Sequence, residues 1–402
     1  MGMFEEFTAV QQNAGPMSAC KWIARNVLTT YHRPVSEFFV EALSPVTLDR
    51  NRMEQRFTEN GSIEYYDRER EVTVDLPVGK DHVETFSERI GTYTISQPFV
   101  GALEDVTLFG SYPVVFDRDK NLVLEPMVQP SVLTLNIGYT GLDFISDPIE
   151  MSRGFSPESF DCAVLLYNRW NRGYYHWTVE TLTLLQGVRT FEERTGVSPK
   201  LIVGPDPNRF QLQTLEMLGY GEDDLINWDC MKAKVERLIV PSMRRELNRG
   251  TVSPIAYQWL RDQMRSAVSN TAYVSEDVSK RVYISREDAP RRRIVNEDEV
   301  LDVLHEYGFE KYVLSDHNVA EIIDLFIQAD IIVGPHGAGL TDIMYTDDVT
   351  VVELFRSNDV RPTYYVLSEH LDHRYRYLLC DYEGPDLVVD TDALEELIAR
   401  EI

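Results

Sequence analysis

The chain has 402 residues, of which 39 are Lys or Arg and 66 are Asp or Glu, so its formal net charge is −27. Phosphate backbones and anionic lipid surfaces repel such a surface, which excludes a general nucleic-acid binder and a protein held on a membrane by charge. With 43% hydrophobic residues the chain can bury a core, and its length is typical of two or three domains.

Only eight of the 39 cations are lysines. Acidic, lysine-poor surfaces stay soluble when salt screens charges to within about 3 Å at 1 M, so we expect a cytoplasmic protein of an extreme halophile. No stretch approaches 18 apolar residues, and Glu5 and Glu6 stand where an export signal would be basic, so we expect neither a membrane span nor export. The four cysteines form no C-x-x-C pair, which disfavours a zinc cage or a disulfide framework.

Residues 1–150 predict an N-terminal extension with a helical lead-in and a β-rich remainder. Short β-type runs, separated by turn residues, lie at residues 71–76, 91–95 and 112–116.

Residues 151–275 predict a first Rossmann-like α/β lobe, because short buried-type strands alternate there with amphipathic helices. The predicted strands are residues 162–166, 201–203 and 237–240, and the predicted helices are residues 175–194 and 209–218. Residues 255–279 are a polar stretch of predicted helix and loop, which is expected to link this lobe to the next.

The first helix of this lobe begins near the sequence YYHWTVE at residues 174–180. His176 and Glu180 are four positions apart and therefore share a helix face. A protonated imidazole is disfavoured near a helix N-terminus, so His176 can act as a general base. A satisfied structural histidine is the alternative.

Residues 276–402 predict a second Rossmann-like lobe. Its predicted strands are residues 282–285, 311–314, 331–333 and 350–354, and its predicted helices are residues 297–307, 319–328, 362–371 and 391–402. Two such lobes that face each other bind a ligand at the carboxyl ends of their strands.

A cluster of cations follows the first strand of this second lobe. Six of the 39 cations lie within residues 280–293, among them Arg286, Arg292 and Arg293. Guanidinium groups at the carboxyl end of a strand can bind a diphosphate through paired hydrogen bonds. Ion pairs with acidic neighbours such as Glu287 are the alternative.

The sequence GPHGAGLT at residues 334–341 follows a buried strand. A helix that begins near Ala338 would point its free N–H groups and its dipole at the turn, which predicts a phosphate site. The glycine spacing fits neither a dinucleotide fingerprint nor a Walker loop. Glycines needed only for close packing are the alternative, and His336 among them favours function.

Glu353, at the end of the next strand, could accept hydrogen bonds from ribose hydroxyls, with an exposed strand-end acid as the alternative. Residues 117–119 and 390–392 fit a D-x-D metal pattern, but a chain this acidic produces such matches by chance, and the first looks like a hairpin turn. We expect no metal.

These motifs, in this order, resemble those of glycosyltransferase family 61. The resemblance covers about residues 160–370 and includes the histidine and acid after the tyrosines, YISR at residues 283–286, the following RR, GPHGAGLT, and VVEL at residues 351–354. It implies a GT-B fold, a nucleotide-sugar donor and inverting transfer without a metal. The chain has Glu180 where the family usually has Asp, and Asp342 where it often has Asn.

We therefore predict an inverting, metal-independent glycosyltransferase with two facing Rossmann-like lobes. It would move a sugar from a nucleotide diphosphate, with a UDP-sugar favoured, to an acceptor hydroxyl in a surface glycan, a lipid-linked precursor or a protein. His176 is the predicted base, with Glu180 to orient it, and Glu353 and Gly334 are assigned to the nucleoside. The predicted diphosphate ligands are Arg286, Arg292, Arg293, His336, Gly337, Ala338 and Gly339. We expect no cofactor besides the nucleotide sugar.

Two other functions stay open at this stage. A nucleotide-sugar epimerase or hydrolase would need the same diphosphate site and base, and a non-catalytic subunit could bind a nucleotide sugar without turning it over. An ester hydrolase is disfavoured because the chain has no G-x-S-x-G elbow.

Overall fold

The computed structural model describes residue 24 and residues 47–68, 70–75, 83–125, 136–141, 158–246, 251–269 and 278–402. The predicted helical lead-in lies almost wholly outside these residues.

The described chain contains nineteen strands. They are β1 (Thr47–Leu48), β2 (Glu64–Tyr65), β3 (Arg70–Val74), β4 (Gly91–Ile95), β5 (Phe99–Phe109), β6 (Val114–Phe116), β7 (Leu122–Val123), β8 (Glu158–Leu165), β9 (Lys200–Val203), β10 (Leu225–Asn227), β11 (Lys232–Pro241), β12 (Arg245–Glu246), β13 (Thr251–Val252), β14 (Arg281–Ile284), β15 (Glu310–Tyr312), β16 (Ile331–Pro335), β17 (Thr350–Arg356), β18 (Arg374–Glu383) and β19 (Asp386–Val388).

The α-helices of the described chain include α1 (Arg50–Asn60), α2 (Glu84–Ser87), α3 (Leu185–Thr195), α4 (Arg209–Met217), α5 (Pro254–Ser269), α6 (Glu297–Glu306), α7 (Val319–Gln328), α8 (Thr363–His370) and α9 (Thr391–Glu401). A π-helical turn (His176–Thr181) and a 3₁₀ turn (Leu182–Leu184) lead into α3, and a 3₁₀ helix (Ala338–Tyr345) follows β16. Shorter 3₁₀ turns span Glu222–Asp224 and Leu314–Asp316.

The architecture is mixed α/β with two large sheets. The first sheet has the order β1-β7-β6-β5-β11-β8-β9-β10, with β2 also paired to β5. Its strands β11, β8, β9 and β10 are parallel, whereas β5 is antiparallel to β11. The chain order reverses between β8 and β11, so the carboxyl ends of these two strands form a crevice of the kind that binds ligands.

The second sheet has the order β15-β14-β16-β17-β18-β19, and all its neighbouring pairs are parallel except β18 and β19. Its chain order reverses between β14 and β16. Every residue of β16 is buried, as expected for a parallel strand covered on both faces. Among helices, α7 starts with a capping box, in which the Asn318 and Glu321 side chains each accept from the other residue's backbone N–H.

The described chain before residue 125 contributes strands to the first sheet and packs on the second. β5 pairs along its length with β11 of the first sheet. The hairpin of β3 and β4 and the short helix α2 pack instead on the second sheet, where Phe86 is 1% exposed. Its ring lies 4.9 Å from Tyr365 and 5.1 Å from Tyr377, measured between centroids. The predicted domain boundary near residue 150 stays a prediction.

Two predictions from the sequence need correction. The helix predicted in the polar stretch 255–279 forms as α5, but it is not a linker, because its apolar face buries Tyr257, Leu260 and Met264 in the core. The helix predicted near Ala338 forms, but it is a 3₁₀ helix.

The two D-x-D matches have internal roles. Asp117 lies in the turn between the antiparallel strands β6 and β7, where its carboxylate accepts from the Asp119 and Asn121 backbone and pairs with Arg56. Asp390 caps α9 by accepting from the Ala393 N–H at 3.1 Å. The described cysteines, Cys162, Cys230 and Cys380, are free thiols, and Cys20 lies outside the described residues. None of the helices in the described ranges is long and apolar enough to cross a bilayer.

We expect Phe86→Ala to lower the free energy of unfolding by about 3–5 kcal/mol, because the substitution leaves a cavity among four aromatic rings. Urea denaturation at constant salt measures the change. Ile90→Ala, in the same segment but 41% exposed, is the control and should change stability by less than about 0.5 kcal/mol. Equal effects of the two substitutions would contradict this packing.

Candidate active site

His176 and Glu180 lie in the π-helical turn that follows β8, beside the reversal point of the first sheet. His176 Nδ1 is 2.9 Å from Glu180 Oε2. The histidine side chain is 33% exposed, whereas the glutamate side chain is 2% exposed. The predicted pair therefore exists, with an accessible imidazole resting on a buried carboxylate. π-Helical turns inside helices are frequent at functional sites.

Arg245, which follows β11 across the same crevice, binds the other oxygen of the Glu180 carboxylate through Nη1. Burial by itself would raise the pKa of Glu180, but the charge of Arg245 and the hydrogen bond with His176 outweigh it and hold the pKa below its ordinary value. Because Glu180 is ionised, His176 Nδ1 carries the proton and donates it. The lone pair of Nε2 is then available to accept a proton from a substrate.

The sequence did not predict Arg245 as a site residue. No motif surrounds it, and it is one of 31 arginines. Its one signal is its place just after a predicted strand of the first lobe.

The second half of the site lies at the reversal point of the other sheet, where Arg286 follows β14 and Gly337 follows β16. A Cβ built on Gly337 would overlap the Arg286 guanidinium, so only glycine admits the arginine at this position. Arg286 Nε is buried without a hydrogen-bond partner among the described residues. Burial lowers the pKa of this guanidinium below its ordinary value and outweighs the opposing charge of Asp288.

Backbone donors add to this cation. The 3₁₀ helix makes its first hydrogen bond from Leu340 N to Gly337 O, at 3.0 Å. The N–H groups of Ala338 and Gly339 therefore have no acceptor within the helix. Together with Arg286, these unpaired donors are suited to an anion, and we call this set the phosphate cradle.

Arg292 and Arg293, which the sequence also assigned to the diphosphate, have different partners. Arg292 has φ of 59°, a left-handed conformation, and its Nη1 lies 3.4 Å from the His336 carbonyl oxygen. Arg292 is thus beside the phosphate cradle. Arg293 donates twice to the Asp386 carboxylate, at 3.1 Å from Nε and 2.6 Å from Nη2. The structure brings Arg286, Arg292 and His336 together, and it pairs Arg293 with an acid of β19.

His336 forms a second histidine–carboxylate pair, with Nδ1 bonded to Glu353 Oε1. Glu353 is 0% exposed, and its Oε2 accepts from the Tyr375 hydroxyl at 2.6 Å. The sequence suggested that Glu353 binds ribose, but in the structure both of its oxygens have protein partners. Gly334, also assigned to the nucleoside, packs under Ile284, since a Cβ there would lie 3.1 Å from the isoleucine Cβ.

A row of aromatic rings joins the two halves of the site. The centroid distances are 5.4 Å from His176 to Tyr175, 5.9 Å from Tyr175 to Tyr364, and 5.4 Å from Tyr364 to His336. Tyr175 and Tyr364 therefore link the two histidines in one continuous row of ring contacts.

Beside this row, the Tyr174 hydroxyl donates to Asp342 Oδ1 at 2.5 Å. Asp342 is 1% exposed, and burial raises its pKa to about 7. At neutral pH this aspartate therefore brings less than a full negative charge to the neighbourhood of the phosphate cradle.

Residues 174–352 match the model of a protein family described as Glycosyltransferase 61. The chain carries a glycosyltransferase family 61 domain. The domain begins at the tyrosines before His176 and ends one residue before Glu353, so it includes the phosphate cradle as well as the buried Glu180 pair. This family of glycosyltransferases acts on a sugar donor and an acceptor. A comparison with curated proteins finds no match. In the described part of the domain and its flanks, no three His, Cys, Asp or Glu residues are arranged to hold a metal ion.

We expect Gly337→Ala to weaken the binding of inorganic pyrophosphate at least tenfold, because the added methyl group displaces the Arg286 guanidinium. Isothermal titration calorimetry measures the Kd. Gly221→Ala is a matched control, since a Cβ there meets nothing within 4 Å. Unchanged affinity in Gly337→Ala would show that Arg286 does not bind the anion.

We expect Asp342→Asn to stabilise the glycosyltransferase at alkaline pH. The folded pKa of about 7 exceeds the ordinary 3.8, so the folded carboxyl keeps its proton between these values while the unfolded one loses it, and the wild type loses stability as pH rises through this range. The asparagine stays neutral and still accepts from Tyr174. Urea denaturation should show an advantage that grows from pH 4 to pH 7 and reaches about 4 kcal/mol at pH 8. An advantage independent of pH would contradict the buried, protonated state.

Proposed function

We propose that the protein is an inverting, metal-independent glycosyltransferase that transfers a sugar from a nucleotide diphosphate, with a UDP-sugar favoured, to an acceptor hydroxyl. The observation that carries this proposal is that the family-matched segment contains an accessible His176 paired with a buried, charge-balanced Glu180 beside one sheet, and the phosphate cradle, with its unpaired donors, beside the other. A transfer reaction needs these two functions on opposite sides of the bond that breaks.

In this mechanism the acceptor hydroxyl attacks the anomeric carbon from the side opposite the diphosphate. His176 Nε2 takes the hydroxyl proton as the new C–O bond forms, and Glu180 stabilises the imidazolium through Nδ1. Glu180 itself cannot be a better base than His176, since its carboxylate is buried and held by Arg245.

The bond from the anomeric carbon to the diphosphate oxygen breaks at the same time, and its electron pair stays on the diphosphate. Arg286, Arg292 and the N–H groups of Gly337, Ala338 and Gly339 would stabilise this charge electrostatically. Because Nδ1 of His336 is bonded to Glu353, the other ring nitrogen, Nε2, would contact a phosphate or sugar oxygen. Arg293 would contribute only by holding the turn, through Asp386.

We further propose that the two sheets correspond to the two facing lobes of a GT-B fold, with an acceptor side near His176 and a donor side near Arg286. The acceptor is a hydroxyl of a glycan, a lipid-linked precursor or a protein, in the cytoplasm. Salt adaptation, suggested by the charge of −27, makes molar KCl the first condition for assays.

We expect His176→Ala to lower kcat by a factor of about 10² to 10⁴, because the variant has no general base, while the Kd of UDP changes less than twofold. Product analysis of a UDP-sugar with and without acceptor measures the turnover. Arg286→Ala is the complementary variant and should raise the Kd of UDP at least tenfold.

The same assay separates the alternatives. Near-full transfer by His176→Ala would overturn its assignment as the base. Free sugar without acceptor would indicate a hydrolase, a changed sugar on the donor an epimerase, and tight binding with unchanged donor a non-catalytic subunit. No thermal shift of the wild type with UDP-, GDP- or dTDP-sugars would contradict the proposed function as a whole.

A further inference from the structure

A cavity of about 390 Å³ opens beside the phosphate cradle, between the N-terminal segment 83–85 and the loop 357–360 after β17. Its size falls in the range of small-molecule sites. The loop 357–360 follows β17, and the phosphate cradle follows β14 and β16. These three strands are parallel neighbours, so the loop and the cradle both lie at their carboxyl ends. Cavity and cradle therefore lie along one edge of the second sheet.

One arginine connects the two. Asp359 lines the cavity, and its Oδ2 lies 3.5 Å from Arg292 Nη2. The other end of the same guanidinium lies 3.4 Å from the His336 carbonyl oxygen, at the phosphate cradle. A ligand with a diphosphate in the cradle would thus extend past Arg292 directly into the cavity.

The wall of the cavity suits a flat, polar-edged ring system. Val83, Val360 and Leu379 supply apolar surface. Thr85 Oγ1 is buried and has no hydrogen-bond partner among the described residues, which is costly unless a ligand supplies one. Asn358 accepts from Arg356 through Oδ1, and the described residues offer no acceptor to its Nδ2.

We propose that this cavity binds the nucleoside of the donor, and that the N-terminal segment 83–85 forms one wall of the donor site. The inference rests on the proposed function and extends it. The apolar groups sandwich the base, and Thr85 and Asn358 bond its polar edge. The N-terminal part of the chain then takes part in donor recognition, and Phe86 anchors the wall to the second sheet.

The first test blocks the cavity in the full chain. Ser357 lines the cavity with an exposed side chain, so Ser357→Trp fills the cavity without disturbing the core. Calorimetry with UDP and with inorganic pyrophosphate, which occupies the cradle alone, should show at least a tenfold higher Kd for UDP and less than a twofold change for pyrophosphate. Glu88→Trp, exposed in the same N-terminal segment but outside the cavity, is the control and should change neither Kd.

The second test removes one hydroxyl. Thr85→Val keeps the shape of the side chain, and we expect it to raise the melting temperature of the free protein, because an unpartnered buried oxygen is gone, while the Kd of UDP rises about fivefold. A merely structural threonine would not weaken UDP binding. This variant also keeps the inference testable if Ser357→Trp fails to fold.

The outcomes are distinguishable. Wild-type affinity for UDP in both Ser357→Trp and Thr85→Val would overturn the nucleoside site, while loss of UDP and pyrophosphate binding in Arg286→Ala would leave the proposed function standing. Failure of the wild type to bind either ligand would overturn the proposed function and this inference with it.

Discussion

The ionised carboxylate of Glu180, buried between Arg245 and His176, is the interaction on which the rest of the site depends. A carboxylate removed from water stays charged only if a cation and hydrogen bonds compensate for the lost hydration. Arg245 supplies the cation from the end of β11, and the charge that it preserves fixes the proton of His176 on Nδ1. Arg245, across the crevice of the first sheet, thus determines which ring nitrogen of His176 carries the proton and which one is left for the proposed role as base.

Three buried acids of the site, Glu180, Asp342 and Glu353, differ in the groups that they contact. Glu180 has an arginine and a depressed pKa, whereas Asp342 has only a tyrosine hydroxyl and a pKa raised to about 7. Glu353 lies between His336 and Tyr375 and so fixes the imidazole on the phosphate side. Burial is common to Glu180 and Asp342, so the opposite directions of their pKa shifts come from Arg245 beside Glu180 and from the lack of a cation beside Asp342 among the described residues. Asp342 stands where the sequence resemblance leads us to expect Asn. It adds less than a full negative charge at neutral pH, because no cation among the described residues keeps it ionised.

The described chain before residue 125 contacts elements that support both halves of the candidate site. β5 continues the first sheet next to β11, the strand that leads to Arg245. Phe86, a few residues earlier, packs on Tyr375, the tyrosine that bonds Glu353 under the second sheet. One stretch of chain therefore contacts the supports of both histidines, and its structure bears on both halves of the site although the family match begins only at residue 174.

The sequence by itself determined the alternation of strands and helices after residue 158, the bounds of α7, the His176–Glu180 pair and the turn around Gly337, because each depends on local periodicity, capping or spacing. It could not show that Arg286 lies against Gly337 while Arg293 pairs with Asp386, since neighbouring arginines in a cluster look alike in the sequence. It could not find Arg245 or the wall at Thr85 either. Only the tertiary structure decided these, because which cation meets a buried acid, and which segment closes a cavity, depends on how strands distant in the chain are ordered in the sheets.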